Sequence, residues 1–297
     1  MCAVIDGHAP PTVVAVARYD QRSVTPLVQD IDDAADVRLA DYRDLRDPAL
    51  RRGRGLFVAE GQVIVRRLVG DARFRVRSLL LTPAARQGLR DLLPGLDDTT
   101  EIYIAPRGVI RDVVGFDFHR GCLAMAERGG EISAEQLVSA SGRRALVVLD
   151  DLADPDNVGA VFRNAFAFGV DGVLLSAGTA DPLYRKAIRT SAAATLRVPF
   201  ARLADWALGL RRLREDGYVL LALATDGAVE LAALGRDQPL PERVALLVGS
   251  EAAGLGLVAR AAADVDVRIA MAPGVDSLNV ATACGIALHR LRDARRR

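Results

Sequence analysis

From about residue 143 onward the chain is dominated by short, unbroken apolar runs. "RALVVLD", "GVLLS", "RVPF", "YVLLALA" and "RVALLVG" do not alternate polar with apolar positions. That is the pattern of strands buried on both faces of a parallel sheet. Between the runs, "NVGAVFRNAFAFG", "PLYRKAIRTSAAA" and "ADWALGLRRLREDG" carry a helical period, and "VDVRIAM" leads into a final helix, "SLNVATACGIALHRLRDARRR". Strands alternating with helices predict an α/β domain with a parallel sheet over residues 143–297.

The first half is organised differently. "LFVAEG", "VRSLLLT", "EIYIAP" and "RGCLAMAER" read as strands, with "QVIVRRLVG" and "RGVIRDVVGF" as helices between them. They predict a smaller αβ domain over residues 30–128. The small and polar stretch 129–142, "GGEISAEQLVSASG", reads as a linker, and residues 1–29 as a flexible extension.

Composition narrows the class. At 297 residues, 51% hydrophobic and 26% charged, the chain can bury two ordinary cores. It has no apolar run of about eighteen residues, so no membrane span is expected. Cys2, Cys122 and Cys284 lie far apart, which suits a reducing cytoplasm rather than a disulfide framework. The net charge of +1 hides an asymmetry: residues 37–128 hold seventeen arginines against twelve acids. Arginine grips phosphate with a planar fork, so nucleic acid is a candidate partner. The opposing consideration is a compositional bias, since Lys186 is the sole lysine.

Ligands of open parallel sheets collect beyond the carboxyl ends of the strands, and three such ends carry unusual polar chemistry. After "RALVVLD" come Asn157, Gly159 and Arg163. After "RVALLVG" comes "SEAAGLG", with Glu251 and Gly254. "APGVDSLN", with Ser277 and Asn279, follows "VDVRIAM". Asp156 or Asn157 is expected to cap the helix that contains Arg163. Gly159 would leave Arg163 room to lie back toward the positive helix end, where an oxyanion could be held. Glu251 is read as a buried anchor for backbone N–H groups, and Ser277 as the cap of the last helix. No phosphate loop or dinucleotide fingerprint is present. None of His8, His119 and His289 falls in a polar cluster, and no metal ligand set is visible. "DPDNVG" fails as a calcium loop because Ala165 stands where a bidentate glutamate is required.

Together, "NVGAVFRNAFAFG", "LLVGSEAAGL" and "IAMAPGVDSLNVATACGIAL" resemble the motifs of the SpoU (TrmH-like) branch of the SPOUT RNA methyltransferases. The resemblance covers residues 143–297, and the region with "GLFVAEG" looks like the ribosomal-protein-like RNA-binding domain of many members. It implies a C-terminal SPOUT domain with a trefoil knot, a homodimer, S-adenosylmethionine as methyl donor and an RNA ribose 2′-hydroxyl as acceptor, with ribosomal RNA preferred. By motif position it implies that Asn157, Arg163, Glu251, Ser277 and Asn279 form the catalytic group. Gly249, Ile269, Met271 and Leu278 then fall at the cofactor. Two departures stand out: Ala270 replaces a usual proline, and Ser250-Glu251-Ala252 replaces Asn-Glu-Gly. Two rival readings remain, a non-catalytic RNA-binding or ribosome-assembly protein on the same fold and a tRNA ribose methyltransferase.

Overall fold

The computed structural model describes residues 27–43, 45, 53–129, 132–236 and 239–296. Most of the extension expected at 1–29, and Arg51 and Arg52 of the arginine-rich run, lie outside the described residues. Two sheets organise the rest. The first contains β1 (Val28–Asp30), β2 (Leu56–Glu60), β3 (Val76–Leu81), β4 (Glu101–Ile104) and β5 (Cys122–Glu127), in the order β1-β4-β3-β5-β2. Strand β5 runs antiparallel to its neighbours β2 and β3. The carboxyl ends of β2, β3 and β4 therefore share one edge with the start of β5. Helices α1 (Gln62–Val69), α2 (Pro83–Gly88) and α3 (Arg107–Val114) follow β2, β3 and β4.

The second sheet is wholly parallel. It contains β6 (Arg144–Leu149), β7 (Gly172–Leu175), β8 (Phe200–Arg202), β9 (Val219–Leu223), β10 (Val229–Glu230), β11 (Arg243–Val248) and β12 (Val265–Arg268), ordered β10-β12-β9-β11-β6-β7-β8. The central pair β6 and β11 is in register from Arg144↔Arg243 to Leu149↔Val248. Helices on its two faces account for the uniformly apolar runs. Val147, Leu149, Leu246 and Val248 belong to one core, and Leu146, Val148, Ala245 and Leu247 to the other. Among the described residues no helix is long and apolar enough to cross a membrane.

Several boundaries differ from those expected. Stretch 129–142 is not a plain linker: Ser133 and Gln136 form a capping box that starts α4 (Ala134–Ser139). Leu137 of α4 then packs so closely on Gly172 that a Cβ there would meet it at 2.5 Å. The helix expected at "PLYRKAIRTSAAA" shrinks to α6 (Arg185–Thr190), because Ala192 and Ala193 take positive φ and end it. The strand expected at "RVPF" pairs from Phe200 to Arg202 instead.

The two sheets meet directly. Leu183, Ile188, Ala193 and Leu196 share a core with Phe57, Ala59 and Leu79 of the first sheet. Two ion pairs with little solvent access flank this junction, Arg128–Asp181 at 2.6 Å and Arg185–Glu60 at 2.5 Å. The Arg185 guanidinium also lies 3.9 Å from the centre of the Phe116 ring. Segment 181–188 thus packs against the side chains of β2, the last strand of that sheet.

Candidate active site

Helix α5 (Pro155–Phe168) sets the first wall of the site. Its cap is Asp154, whose side chain accepts the Asp156 N–H, with Pro155 in the first turn; the cap expected at Asp156 or Asn157 is therefore corrected. Proline fits there because its missing N–H is not needed, and its φ is already helical. Val158, Val161, Phe162 and Ala165 form the buried stripe. Asp156 bonds Lys186 at 2.8 Å and the Thr190 hydroxyl at 2.8 Å, and its carboxyl lies below the ordinary value chiefly because of Lys186. Gly159 is explained by packing, not by room for Arg163: a Cβ would sit 2.5 Å from the Ala187 carbonyl oxygen.

Asn157 joins the three strand ends. Its side-chain amide donates to Glu251 Oε1, and its Oδ1 accepts from Asn279 Nδ2 at 3.0 Å. Asn279 Oδ1 accepts in turn from the Ala281 and Thr282 amides, at 3.0 and 3.3 Å. Asn279, not Ser277, thus caps α7 (Val280–Arg296), because its shorter distance in sequence places Oδ1 over those first free amides. Glu251 is an exposed acid bonded to a side-chain amide, which corrects the expectation of a buried anchor. The relay runs from a helix N-terminus through two amides to a carboxylate, and it orients every member.

The loop that carries Glu251 is closed on itself. Ser250 and Gly254 exchange two backbone bonds of 3.0 Å each, and the Ser250 hydroxyl accepts the Ala253 N–H. A Cβ on Gly249 would stand 2.1 Å from the Gly254 carbonyl carbon, so only glycine fits. Asp150, at the end of β6 and only 7% exposed, accepts the Gly256 N–H at 2.8 Å. Burial pushes its carboxyl above the ordinary value. Next to it Asp151 holds a φ of 52°, clamped by Ser176 and the Gly178 amide. Strained non-glycine backbone of this kind needs such support.

A pocket of about 690 Å³ opens beside this loop, and Gly249, Glu251, Ile269, Met271, Ser277, Leu278 and Asn279 line it. Most of the residues expected at the site therefore converge. Arg163 does not join them. It is exposed, bonds no described residue, and lies six residues after Asn157, about 9 Å along the helix axis. Thr225, Asp226 and Arg260 line the pocket as well and were missed. "ATDG" after "YVLLAL" is a fourth polar strand end, and the same rule would have found it. Among the described residues no group of three or more His, Cys, Asp or Glu side chains could hold a metal ion. Burial drives the thiols of Cys122 and Cys284 up to about 12.

Comparison with known proteins fits this geometry. Residues 144–289 match the family model described as the SpoU rRNA Methylase family. An uncharacterised tRNA/rRNA methyltransferase of Mycobacterium tuberculosis is 42% identical over 271 residues, which span 88% of this chain and 91% of that one. The AdoMet-bound rRNA methyltransferase of Sinorhizobium meliloti superposes with a TM-score of 0.77 at 25% identity, covering 90% of this chain and 98% of that one. The fold is shared too with the SpoU methyltransferase AviRb of Streptomyces viridochromogenes, at a TM-score of 0.75 and 23% identity, over 88% and 98% of the two chains. With the strand-end motifs, the parallel sheet and these likenesses in agreement, the chain belongs to the SpoU family of RNA methyltransferases.

Proposed function

We infer that this protein transfers a methyl group from S-adenosylmethionine to a ribose 2′-hydroxyl of RNA, and that its RNA is ribosomal. The relay through Asn157, Glu251 and Asn279, at the mouth of a pocket with both apolar and polar walls, carries the reading. S-adenosylmethionine is the cofactor bound in the related Sinorhizobium enzyme, and the residues of this pocket suit it. The molecule has no phosphate, which matches the missing phosphate loop. Ile269, Met271 and Leu278 offer apolar surface for its adenine, and the Gly249 contact lets the loop backbone approach closely. Asp226 and Arg260, paired with each other at 2.8 Å, add a polar wall for its hydrophilic groups. When bound, the cofactor supplies an electrophilic methyl on a sulfonium, without help from a metal.

The chain's own residues then have three tasks. The ribose oxygen must be held in line with the methyl, an effect that contributes about 7–11 kcal/mol when geometry is good. Asn157 and Asn279 fix the Glu251 carboxylate, and Glu251 Oε2, with no described partner, is free to accept the hydroxyl hydrogen. Arg163 stands apart from the relay in this structure, so its role at the developing oxyanion requires the guanidinium to move toward the relay when RNA binds, which breaks no ion pair with a described residue. Ser277 borders the same pocket and completes the polar rim. The fold is read as the SPOUT trefoil knot with its RNA-binding domain at 30–128. The protein works in the cytoplasm as a homodimer, a state favoured by exposed Phe166 and Ile286 on α5 and α7.

The test is transfer of labelled methyl from S-adenosylmethionine to ribosomal RNA stripped of modifications. The wild type should label the RNA, and Asn157→Ala should lower kcat by on the order of 10²-fold. Label on protein only, or none on RNA, would refute the reading.

A further inference from the structure

Many arginines at the surface of this protein are neutralised by a neighbouring acid. Arg38 pairs with Asp36, Arg66 with Asp91, Arg73 with Asp71, Arg75 with Glu127, Arg212 with Glu135 and Arg214 with Asp264. Others have no acid partner among the described residues, Arg86, Arg90, Arg163, Arg211 and Arg236 among them, and three such guanidiniums follow one another from the five-stranded sheet to the relay. Arg120 and Arg189 make no hydrogen bond or ion pair with any described residue, and Arg107 bonds only the Phe118 and His119 carbonyls and the His119 ring. None of the three has an ion pair to break before it meets an external anion.

These three residues belong to a continuous path. Arg107 and Arg120 lie at the edge where β2, β3 and β4 end and β5 begins. The Arg120 side chain rests over Gly61, 3.1 Å from where a Cβ would stand. The preceding Glu60 bonds Arg185, the first residue of α6. On the next positions of α6, Lys186 and Thr190 bond Asp156, one residue before Asn157. Arg189 lies between them. Acids do occur along the way: Asp117 pairs with His119, and Asp154 and Asp156 face Lys186. None of them reaches Arg107, Arg120 or Arg189 as an ion pair.

We propose that Arg107, Arg120 and Arg189 form a track for the phosphates of the substrate RNA. It leads from the carboxyl edge of the five-stranded sheet, over the start of α6, to the relay at Asn157. The proposal rests on the methyltransferase reading and adds to it the face along which RNA arrives. Guanidiniums without acid partners suit this task, because binding phosphate breaks no ion pair already formed. The opposite edge of the seven-stranded sheet supplies a control. Arg211 is exposed there, near the starts of β9 and β12.

The experiment is a salt titration of binding to a fluorescently labelled ribosomal RNA hairpin of about 30 nucleotides. Removing one guanidinium that holds a phosphate should lower the slope of log affinity against log salt by about 0.7–0.9. Arg120→Ala and Arg189→Ala should each show that decrease, with affinity weakened by roughly 5-fold at moderate salt. Arg120→Lys and Arg189→Lys should restore the slope, and Arg211→Ala should match the wild type. Calorimetric affinity for S-adenosylmethionine and thermal stability should be unchanged, since neither arginine holds another part of the chain. Wild-type slopes in both alanine variants, with the RNA still bound and methylated, would overturn the track alone. Failure of the wild type to bind RNA at any salt would overturn the methyltransferase reading with it.

Discussion

Asp150 offers a test at the scale of one residue. Its carboxyl is raised by burial, so the folded chain holds that proton to a higher pH than the unfolded chain does. The cost of ionising it is absent in acid, and grows as pH rises from the ordinary carboxylate value of 3.8 through the raised one. Asp150→Asn keeps an acceptor for the Gly256 amide and carries no charge. Its melting temperature should exceed the wild type's at neutral pH, and the difference should vanish below pH 3.8. Parallel melting curves across that range would contradict this. Asp156 has the opposite sign: held low by Lys186, it stabilises the fold above 3.8, a contribution that disappears as acid protonates it. The Asn157, Glu251 and Asn279 group was legible in sequence because each stands in a polar segment that follows a buried strand. Asp150 was not, since an acid at the end of a buried strand reveals nothing of the loop amide it meets 106 positions later.

Helices and loops were legible to the extent that their causes are local. The helix at 155–168 follows from its own apolar stripe and Gly169, while its cap, expected at Asp156 or Asn157, is Asp154, which composition alone does not single out. Arg163 shows the limit. Helical geometry fixes its distance along α5, yet the motif that suggests its role says nothing of where the guanidinium lies without RNA. Gly159 is a second instance, where a reason outside the helix, the Ala187 carbonyl on α6, outweighs the reason expected within it. Gly159→Ala should therefore destabilise the protein by about 1–3 kcal/mol, read as a shift in denaturant midpoint. An unchanged midpoint would show that the two helices part at no cost. Gly249→Ala acts on a loop instead: its Cβ would overlap the Gly254 backbone, so the melting temperature should fall, and calorimetry well below it, where the variant is folded, should find S-adenosylmethionine binding abolished.

The union of the two sheets is a property of the whole molecule, and sequence patterns did not show it. A polar stretch at 129–142 suggested separable domains, yet Leu183, Ile188 and Leu196 complete the core under β2. Glu60 and Arg185, 125 positions apart, meet as a buried pair. Removing one partner strands the other charge, so Glu60→Ala should cost about 3–5 kcal/mol in chemical denaturation. A cost of less than about 1 kcal/mol, the range of an exposed pair, would mean that solvent reaches Arg185. For the protein as a whole, the acceptor atom is the deciding point, and alkali reads it directly. Hydroxide cleaves RNA through the 2′-oxyanion, so a methyl on that oxygen leaves one uncut position in a hydrolysis ladder. Ribosomal RNA treated with the enzyme and S-adenosylmethionine should show one such gap, absent with Asn157→Ala. A full ladder together with methyl label on a base would contradict ribose methylation.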